Sequence, residues 1–558
     1  MPNTDLLAIE EARPLIGRRS YRSFAQDFYS LSLSAWQMGL SYTFSIKFSV
    51  ALAVLFRANG NDPEHVAALG ITQSLSNFTA IIALSELLAL SIMAGNYIGV
   101  LSRDIPDEER PIYRRNVGDI YRAGLIVSAS VASAGFFPLY FSENLLIALG
   151  QDPAVARIVQ QFSRAYAPGI FPLLIRVCSE QMFFARGHYR LAMIIAIANL
   201  AFGITLAGIM GGGWFGREPS VEGLGYAYLV EDVTTALAYV ACLLWHRDFR
   251  EFPFFRLAEA SSISILRHTK DLIREGGSIS LSMIIEMSMA FVLTLFAGIE
   301  GSTQQAAWAT AMQFVFFAGI PILSFGAATG QEQSRMMGAA LTQAGERRLQ
   351  IQRVRQFVLR ARLITPANLM PFCLALIIFP QALNALVGGN TKSDLHALRI
   401  VVPLISGVVV GDSVRYQVLQ NLRASFDWVT PTILNSIGLL AGFLSASIFL
   451  EGGSSNIAML ALSYLAGIIA STSLLLRRWG QRGTEDALIE AQTQHDAATQ
   501  AIEQRIREEV AAETIQPHQR GTAWASLFSD KKPLAATRDH DEESLSASEE
   551  HVSINALS

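Results

Sequence analysis

Charge is scarce in this sequence. Only 16% of its 558 residues are charged, whereas a soluble globular domain carries roughly 25%. The charges fall in short clusters between long apolar runs, 51% of the chain is hydrophobic, and the mean hydropathy is +0.33. A run of about 18 or more apolar residues is long enough to cross a bilayer. The composition therefore excludes an ordinary soluble domain and indicates an all-α integral membrane protein.

The sequence also lacks the motifs of enzymes. Its three cysteines, Cys178, Cys242 and Cys373, lie in apolar runs as small buried hydrophobes do, which argues against disulfides and metal ligands. The nine histidines form no His-Glu-x-x-His pattern, and no GxxxxGK[ST] phosphate-binding loop occurs. We therefore expect no enzymatic activity, no metal, no cofactor, no nucleic acid and no ATPase subunit. The energy is then expected to come from an ion gradient, with H⁺ or Na⁺ as the coupling ion, or from a partner.

Twelve apolar runs predict transmembrane helices. They cover residues 29–56, 64–100, 117–141, 154–184, 188–213, 222–245, 268–298, 303–335, 356–387, 394–422, 426–450 and 455–476. Segments rich in arginine alternate with segments that carry one basic residue or none, and basic residues gather on the cytoplasmic side. The start of the chain is polar and resembles no cleavable signal peptide. The pattern predicts twelve helices in the cell membrane with both termini cytoplasmic.

The longest charged linker divides the predicted helices six and six. Ser30–Ser34 (SLSLS) resembles Ser278–Ser282 (SISLS), which suggests an internal duplication; in transporters, the path lies at the interface of such repeats. The predicted organisation is a cytoplasmic N-terminus at 1–25, a six-helix bundle at 26–250, a cytoplasmic linker at 251–267, a second six-helix bundle at 268–480 and a cytoplasmic tail at 481–558. The tail is helix-prone at first, then acidic, rich in serine and predicted to be disordered.

Ionisable residues inside the predicted spans are the candidate functional groups, because burying a charge in the membrane is costly. Glu286 lies deep in the seventh span, where one carboxylate can bind either a proton or a cationic substrate; the alternative is a glutamate that packs helices. Asp412 and Arg415 in the tenth span share a helix face and can form an ion pair, structural or coupled to transport.

Two further pairs of ionisable residues in the predicted spans are less specific candidates for functional groups. Glu231 and Asp232 are adjacent in the sixth span, so at most one faces a given cavity, and either can instead cap a helix or pair with a loop arginine. Glu86 in the second span requires a partner, and Lys47 in the first span is a candidate for a structural pair.

Several short motifs resemble the multidrug and toxic compound extrusion (MATE) family across about residues 25–480. They are LGQDP at 149–153, PGIFP at 168–172, FARG at 184–187, Asn199, EGLGYAYLVED at 222–232, GGSISLSMIIE at 276–286 and GDSVRYQVLQNLRASFDWVTP at 411–431. The resemblance implies an antiporter with two pseudo-symmetric six-helix bundles around a V-shaped cleft, alternating between outward-open and inward-open states. It places Glu286 and Asp412 where members carry functional acids.

The sequence departs from the family in the first half. The acid that many bacterial members carry in the first helix falls near Ser45, with Lys47 beside it, and Ala307–Trp308 replaces a frequent His-Gln. Coupling is therefore expected through Glu286 and Asp412. The alternative functions are a flippase for a lipid-linked or amphipathic metabolite and a membrane interaction protein whose acidic tail binds a partner.

Overall fold

The computed structural model describes residues 23–42, 68, 71–72, 75, 85–102, 105–216, 218–299, 302–340, 344–381, 392–451 and 457–515. Every regular element in these ranges is a helix. We number them α1 Phe24–Ser41, α2 Ala89–Leu101, α3 Arg110–Tyr140, α4 Ser142–Ala148, α5 Pro153–Tyr166, α6 Ile170–Arg186, α7 Tyr189–Met210, α8 Val221–Trp245, α9 Ser262–Ile299, α10 Ser302–Ala339, α11 Ala344–Ile378, α12 Lys392–Ala424, α13 Val429–Glu451, α14 Ile457–Arg482 and α15 Glu485–Ile515. Short 3₁₀ turns lie at Ala167–Gly169, Trp214–Gly216 and Leu257–Glu259.

Among the described helices, seven are long and apolar enough to cross a membrane. They are α3, α7, α8, α9, α11, α13 and α14. Large apolar side chains point outward from them, as at Leu237, 63% exposed, and Ile448, 68% exposed, which suits contact with lipid. A described helix lies in each of the twelve predicted spans, but much of the first two spans falls outside the described residues. The number of crossings therefore stays a prediction.

The predicted span at 154–184 is two helices joined end to end. Asp152 begins α5 by accepting a hydrogen bond from the backbone N–H of Ala154, with Pro153 in the first turn, where its missing N–H costs nothing. Pro168 then falls in the 3₁₀ turn between α5 and α6, because proline cannot donate the hydrogen bond that a continuous α-helix requires. Gly187, at φ 88°, ends α6 in the left-handed conformation that glycine adopts without strain.

The first half, α1–α8, and the second half, α9–α14, contact each other from one end of the helices to the middle of α10, where Gly39 packs against Ser324. We call this end the arginine-rich end, because it carries Arg110–Arg115, Arg247–Arg256 and Arg347–Arg362. There the backbones of α2 and α10 touch: a Cβ on Gly338 would overlap the carbonyl of Asn96, and one on Gly99 would overlap that of Arg335. Glycine at both positions is what lets these helices approach so closely.

Replacing Gly338 with alanine is expected to destabilise the protein by about 1–3 kcal/mol, because the added methyl group forces α2 and α10 apart. Gly319→Ala is the matched control on the same helix, since a Cβ there meets no atom within 4 Å. It is expected to leave stability unchanged or raise it by up to about 1 kcal/mol through helix propensity. Thermal unfolding of the purified protein in detergent measures both. Equal midpoints for the two variants would contradict this description of the interface.

Candidate functional site

The guanidinium of Arg415 lies between two carboxylates inside the second half. Its Nη2 is 2.7 Å from Oε2 of Glu286, and its Nε is 2.5 Å from Oδ1 of Asp412. The side chain of Arg415 is fully buried, whereas the side chains of Glu286 and Asp412 are 18% and 13% exposed. Asp412 and Arg415 are three residues apart on α12, and Glu286 reaches them from α9. The three residues proposed from sequence for this half thus form one cluster.

A polar network from two more helices holds the arginine in place. Asn435 on α13 accepts a hydrogen bond from Nη1 of Arg415 at 2.5 Å and another from Ser471 on α14 at 2.7 Å. Its amide nitrogen donates to Ser282, one turn before Glu286, at 2.9 Å. The α13 and α14 backbones come this close because Gly438 packs against Ser471, leaving no room for a side chain. These contacts hold the rotamer of Arg415 and give its Nη1 an acceptor.

The charges of this cluster do not balance. Two carboxylates face one guanidinium, and arginine stays protonated in proteins, so the ionised cluster carries one net negative charge. An uncompensated charge is costly in a membrane interior. The cluster can remove that cost by taking up one monovalent cation, which is the chemistry that an ion-coupled transporter requires.

The first half holds its own buried acids in a separate arrangement. Asp232 on α8 lies 3.6 Å from Nη1 of Arg176 on α6, so its partner is an arginine of another helix rather than of a loop. Glu231 accepts a hydrogen bond from Asn199 on α7, which in turn accepts one from Thr235. The adjacent acids therefore point to different helices, and the structure brings neither to Arg415.

Glu86 contacts the second half. Its Oε2 accepts a hydrogen bond from Ser280 at 2.9 Å, and Gly276 packs against its backbone. Lys47, the partner suggested from sequence, lies outside the described residues. The contact joins the two halves, as a structural role for Glu86 requires.

One group of possible metal ligands occurs in the described part of the chain. The ligand atoms of His188, His246 and Asp248 lie within 4.8 Å of one another. Oδ2 of Asp248 lies 3.2 Å from Nε2 of His188, Asp248 forms an ion pair with Arg247 at 3.4 Å, and both imidazole rings pack against Phe249. These contacts account for the proximity of the three residues without a metal.

Asn435 and Ser471 belong to the site, but the sequence pattern did not single them out as candidates. The available signal was a lone polar residue in an apolar run, as Asn435 is in VTPTILNSIGLLAGF. Ser282 carried a stronger signal, because it ends the SISLS motif that suggested the duplication. Neutral polar residues are common in membrane helices, so this signal alone does not select them.

Proteins with similar sequences cover part of the chain. The MatE family model matches residues 40–209. "Probable multidrug resistance protein NorM" from Bradyrhizobium diazoefficiens is 26% identical over 260 residues, which are 46% of this chain and 51% of that protein. A protein of the same name from Brucella suis is 23% identical over 214 residues, 38% of this chain and 45% of that protein. The chain therefore spans about half the length of the curated relatives that it matches.

Solved structures share the fold over most of this chain. The eukaryotic MATE transporter AtDTX14 superposes with a TM-score of 0.68 at 15% identity, covering 84% of this chain and 99% of that chain. Residues 40–209 match the MatE family, and the fold over most of the chain is that of MATE transporters. A multidrug resistance MATE transporter of the MOP superfamily, in an outward-facing conformation, also gives a TM-score of 0.68, at 19% identity over 84% of this chain and 97% of that chain. At such identities the structures show the fold alone. The apolar helices and the MATE fold support a multi-pass membrane protein. The Arg415 cluster lies beyond the segment that the MatE model matches.

Proposed function

We propose that this protein is a secondary-active antiporter of the MATE family that exports amphipathic, cationic small molecules in exchange for H⁺ or Na⁺. The observation that supports the proposal is the cluster of Glu286, Asp412 and Arg415. A proton, a sodium ion or a cationic group of the substrate each neutralises its one net negative charge. Because they compete for the same carboxylates, binding of the coupling ion weakens binding of the substrate, and the reverse holds by linkage.

The sign of the charge also favours a cationic substrate. An anionic lipid-linked substrate, as a flippase would carry, suits a basic cavity, whereas here carboxylates outnumber the arginine in the cluster. Partly exposed Glu286 and Asp412 are reachable by a ligand, whereas buried Arg415 is not. An organic cation therefore meets carboxylate oxygens first.

The arginine-rich end is assigned to the cytoplasm of the cell, because basic residues gather on that side. Both termini then lie in the cytoplasm, and the contacts described between the halves at this end lie on the cytoplasmic side. In this scheme the coupling ion enters from outside, neutralises the cluster and displaces the substrate outward.

Purified protein in proteoliposomes tests the function. Ethidium serves as the cationic probe, with a pH gradient and a Na⁺ gradient imposed separately. We expect ethidium movement against its gradient with one of the two ions, and substrate-induced release of protons if that ion is H⁺. Absence of movement with either gradient would reject the antiporter. Translocation of an anionic fluorescent lipid in the same vesicles would support a flippase instead.

A further inference from the structure

Helix α15 follows the last predicted span and presents one face to the rest of the protein. Leu488, Gln492, His495, Thr499 and Glu503 recur every three or four residues, so they share one side of the helix. Leu488, Gln492, Thr499 and Glu503 are each buried. The residues up to Glu503 belong to the same compact unit as the membrane helices. We call residues 485–503 the tail clamp.

The tail clamp forms polar contacts with the first half. Gln492 accepts a hydrogen bond from the amide of Asn96 on α2 at 3.2 Å, and Thr499 lies 3.4 Å from the hydroxyl of Tyr97. Glu503 accepts a hydrogen bond from Arg115 at 2.6 Å.

Asn116, the next residue on α3, gives Glu503 a second donor at 3.0 Å. Asn116 in turn accepts from Ser264 and contacts His268, both on α9, so this end of the clamp lies where α3 and α9 meet. Glu503 is thus a buried carboxylate with a charged partner and a neutral one, the strongest kind of hydrogen-bonded contact in the clamp.

The tail clamp also packs on the second half, mainly through apolar groups. Leu488 is buried with Met337 and Ala340 at the end of α10 and with Ile351 and Val354 on α11.

The ring of His495 stacks on Phe426, which follows α12, with the ring centroids 4.3 Å apart. Burial, with the nearby charge of Arg267, lowers the pKa of His495 to about 4, so the ring is neutral at physiological pH and suits stacking. Arg347 donates to Thr493 at 2.9 Å, and Arg348 pairs with Glu485 at 3.2 Å. One helix therefore contacts both halves at the arginine-rich end.

An antiporter with this fold opens to the cytoplasm only if the two halves separate at that end. A helix that contacts both halves cannot keep all its contacts during the separation. We propose that the tail clamp holds the cytoplasmic side closed and must release the first half before the transporter opens inward. This inference rests on the proposed antiport function and adds a regulatory step to it.

The chemistry of the two contact sets indicates which one breaks. Contacts to the first half are mainly hydrogen bonds and an ion pair, whose groups water can satisfy once they separate. The ring of His495 also lies near that of Tyr97, with the centroids 5.8 Å apart. Contacts to the second half include polar ones from Arg347 and Arg348, but they also bury Leu488 and stack His495 on Phe426. Water does not compensate for exposing these apolar and aromatic groups. The clamp therefore stays on the second half and releases Asn96, Tyr97, Arg115 and Asn116.

Glu503→Arg in the full-length chain tests the clamp, because it places two positive charges against each other at Arg115. The readout is the distance between spin labels at Glu108 and Gln481, exposed positions at the arginine-rich end of the two halves, measured by pulsed electron spin resonance. The background replaces Cys178, Cys242 and Cys373 with alanine. We expect the long-distance, inward-open population to rise about tenfold or more relative to the closed one.

Two variants make the result specific. Glu490→Arg introduces the same change on the exposed face of the clamp, where Glu490 contacts Gln494 of its own helix, and is expected to leave the distances unchanged. The charge swap Arg115→Glu with Glu503→Arg restores the ion pair and is expected to restore the closed population. If Glu503→Arg does not fold, Gln492→Ala removes the contact to Asn96 and is expected to give a smaller shift in the same direction.

Distances in Glu503→Arg or Gln492→Ala that match those of Glu490→Arg and the unsubstituted background would overturn the clamp. This readout needs no substrate and no transport, so it separates the clamp from the antiporter proposal. A protein that fails to move ethidium but shows the shift keeps the clamp and loses the antiport function. The reverse result keeps the antiporter and rejects the clamp.

Discussion

Glu286→Gln is expected to reduce export of cationic compounds to the level of cells that lack the transporter, with normal amounts of protein in the membrane. Glutamine has nearly the size of glutamate, and its amide oxygen can still accept a hydrogen bond from Arg415. It cannot take up a cation or a proton. The remaining cluster of Asp412 and Arg415 is then permanently neutral, as the native cluster is only when loaded.

This substitution also separates the two interpretations of Glu286. If the glutamate only packs α9 against α12, the hydrogen bond from Arg415 survives in the variant, and export survives with it. If the carboxylate is the exchange site, export fails although the fold is intact. Export at the native rate would remove Glu286 from the coupling mechanism.

Glu86→Gln is the matched control, the same change at another glutamate in a predicted span. Glu86 accepts a hydrogen bond from Ser280, and an amide oxygen can accept it equally well. Export is therefore expected to continue. Asp412→Asn removes the same unit of charge from the Arg415 cluster and is expected to fail as Glu286→Gln does. Loss in only one of these two would identify the carboxylate that holds the cation.

The candidate acids could be found in the sequence because each charge in an apolar run is rare and costly. Spacing on one helix also suggested the contact between Asp412 and Arg415. The approach of Glu286 to Arg415 could not be predicted, since it depends on how α9, α12 and α13 pack together. Asn435 supplies that geometry, and a single asparagine in a span carries no signal of its partner.

The helix in the tail could likewise be predicted, whereas its position could not. Leu488 is one apolar residue on a mostly polar face, and the contacts that place the helix join residues far apart in the chain. Gln492 and Asn96 are 396 residues apart. Such contacts are individually weak and come mostly from polar side chains, which an apolar periodicity does not reveal, so they become recognisable only once the fold has brought α2 and α10 together.

Arg415→Met is expected to lower the stability of the protein by about 3 kcal/mol as well as to stop export, because it leaves two mostly buried carboxylates without their counter-charge. Methionine fills much of the volume of the arginine stem, so the loss reflects charge more than packing. Thermal unfolding of the purified variant measures the stability, and ethidium movement in proteoliposomes measures transport.

Arg423→Met is the matched control for burial. Arg423 is also fully buried on α12, but its described hydrogen bond goes to the hydroxyl of Thr432 at 3.5 Å rather than to a carboxylate. Its charge acts on Glu286 only at a distance, without the ion pair that Arg415 forms, and the expected loss of stability is smaller. Equal losses for the two variants would show that the carboxylates do not depend on Arg415 for compensation.

Two further variants divide the role of Arg415 between charge and geometry. Arg415→Lys keeps the charge but cannot serve Glu286, Asp412 and Asn435 together, because lysine lacks the planar fork of donors. It is expected to recover much of the stability and little of the transport. Adding Glu286→Gln to Arg415→Met removes one of the two uncompensated carboxylates. The double variant is expected to recover stability but not transport. Recovery of export by either variant would mean that the cluster works through its net charge alone. Loss of export in a stable protein would mean that the coupling ion requires the geometry that Arg415 imposes on both carboxylates.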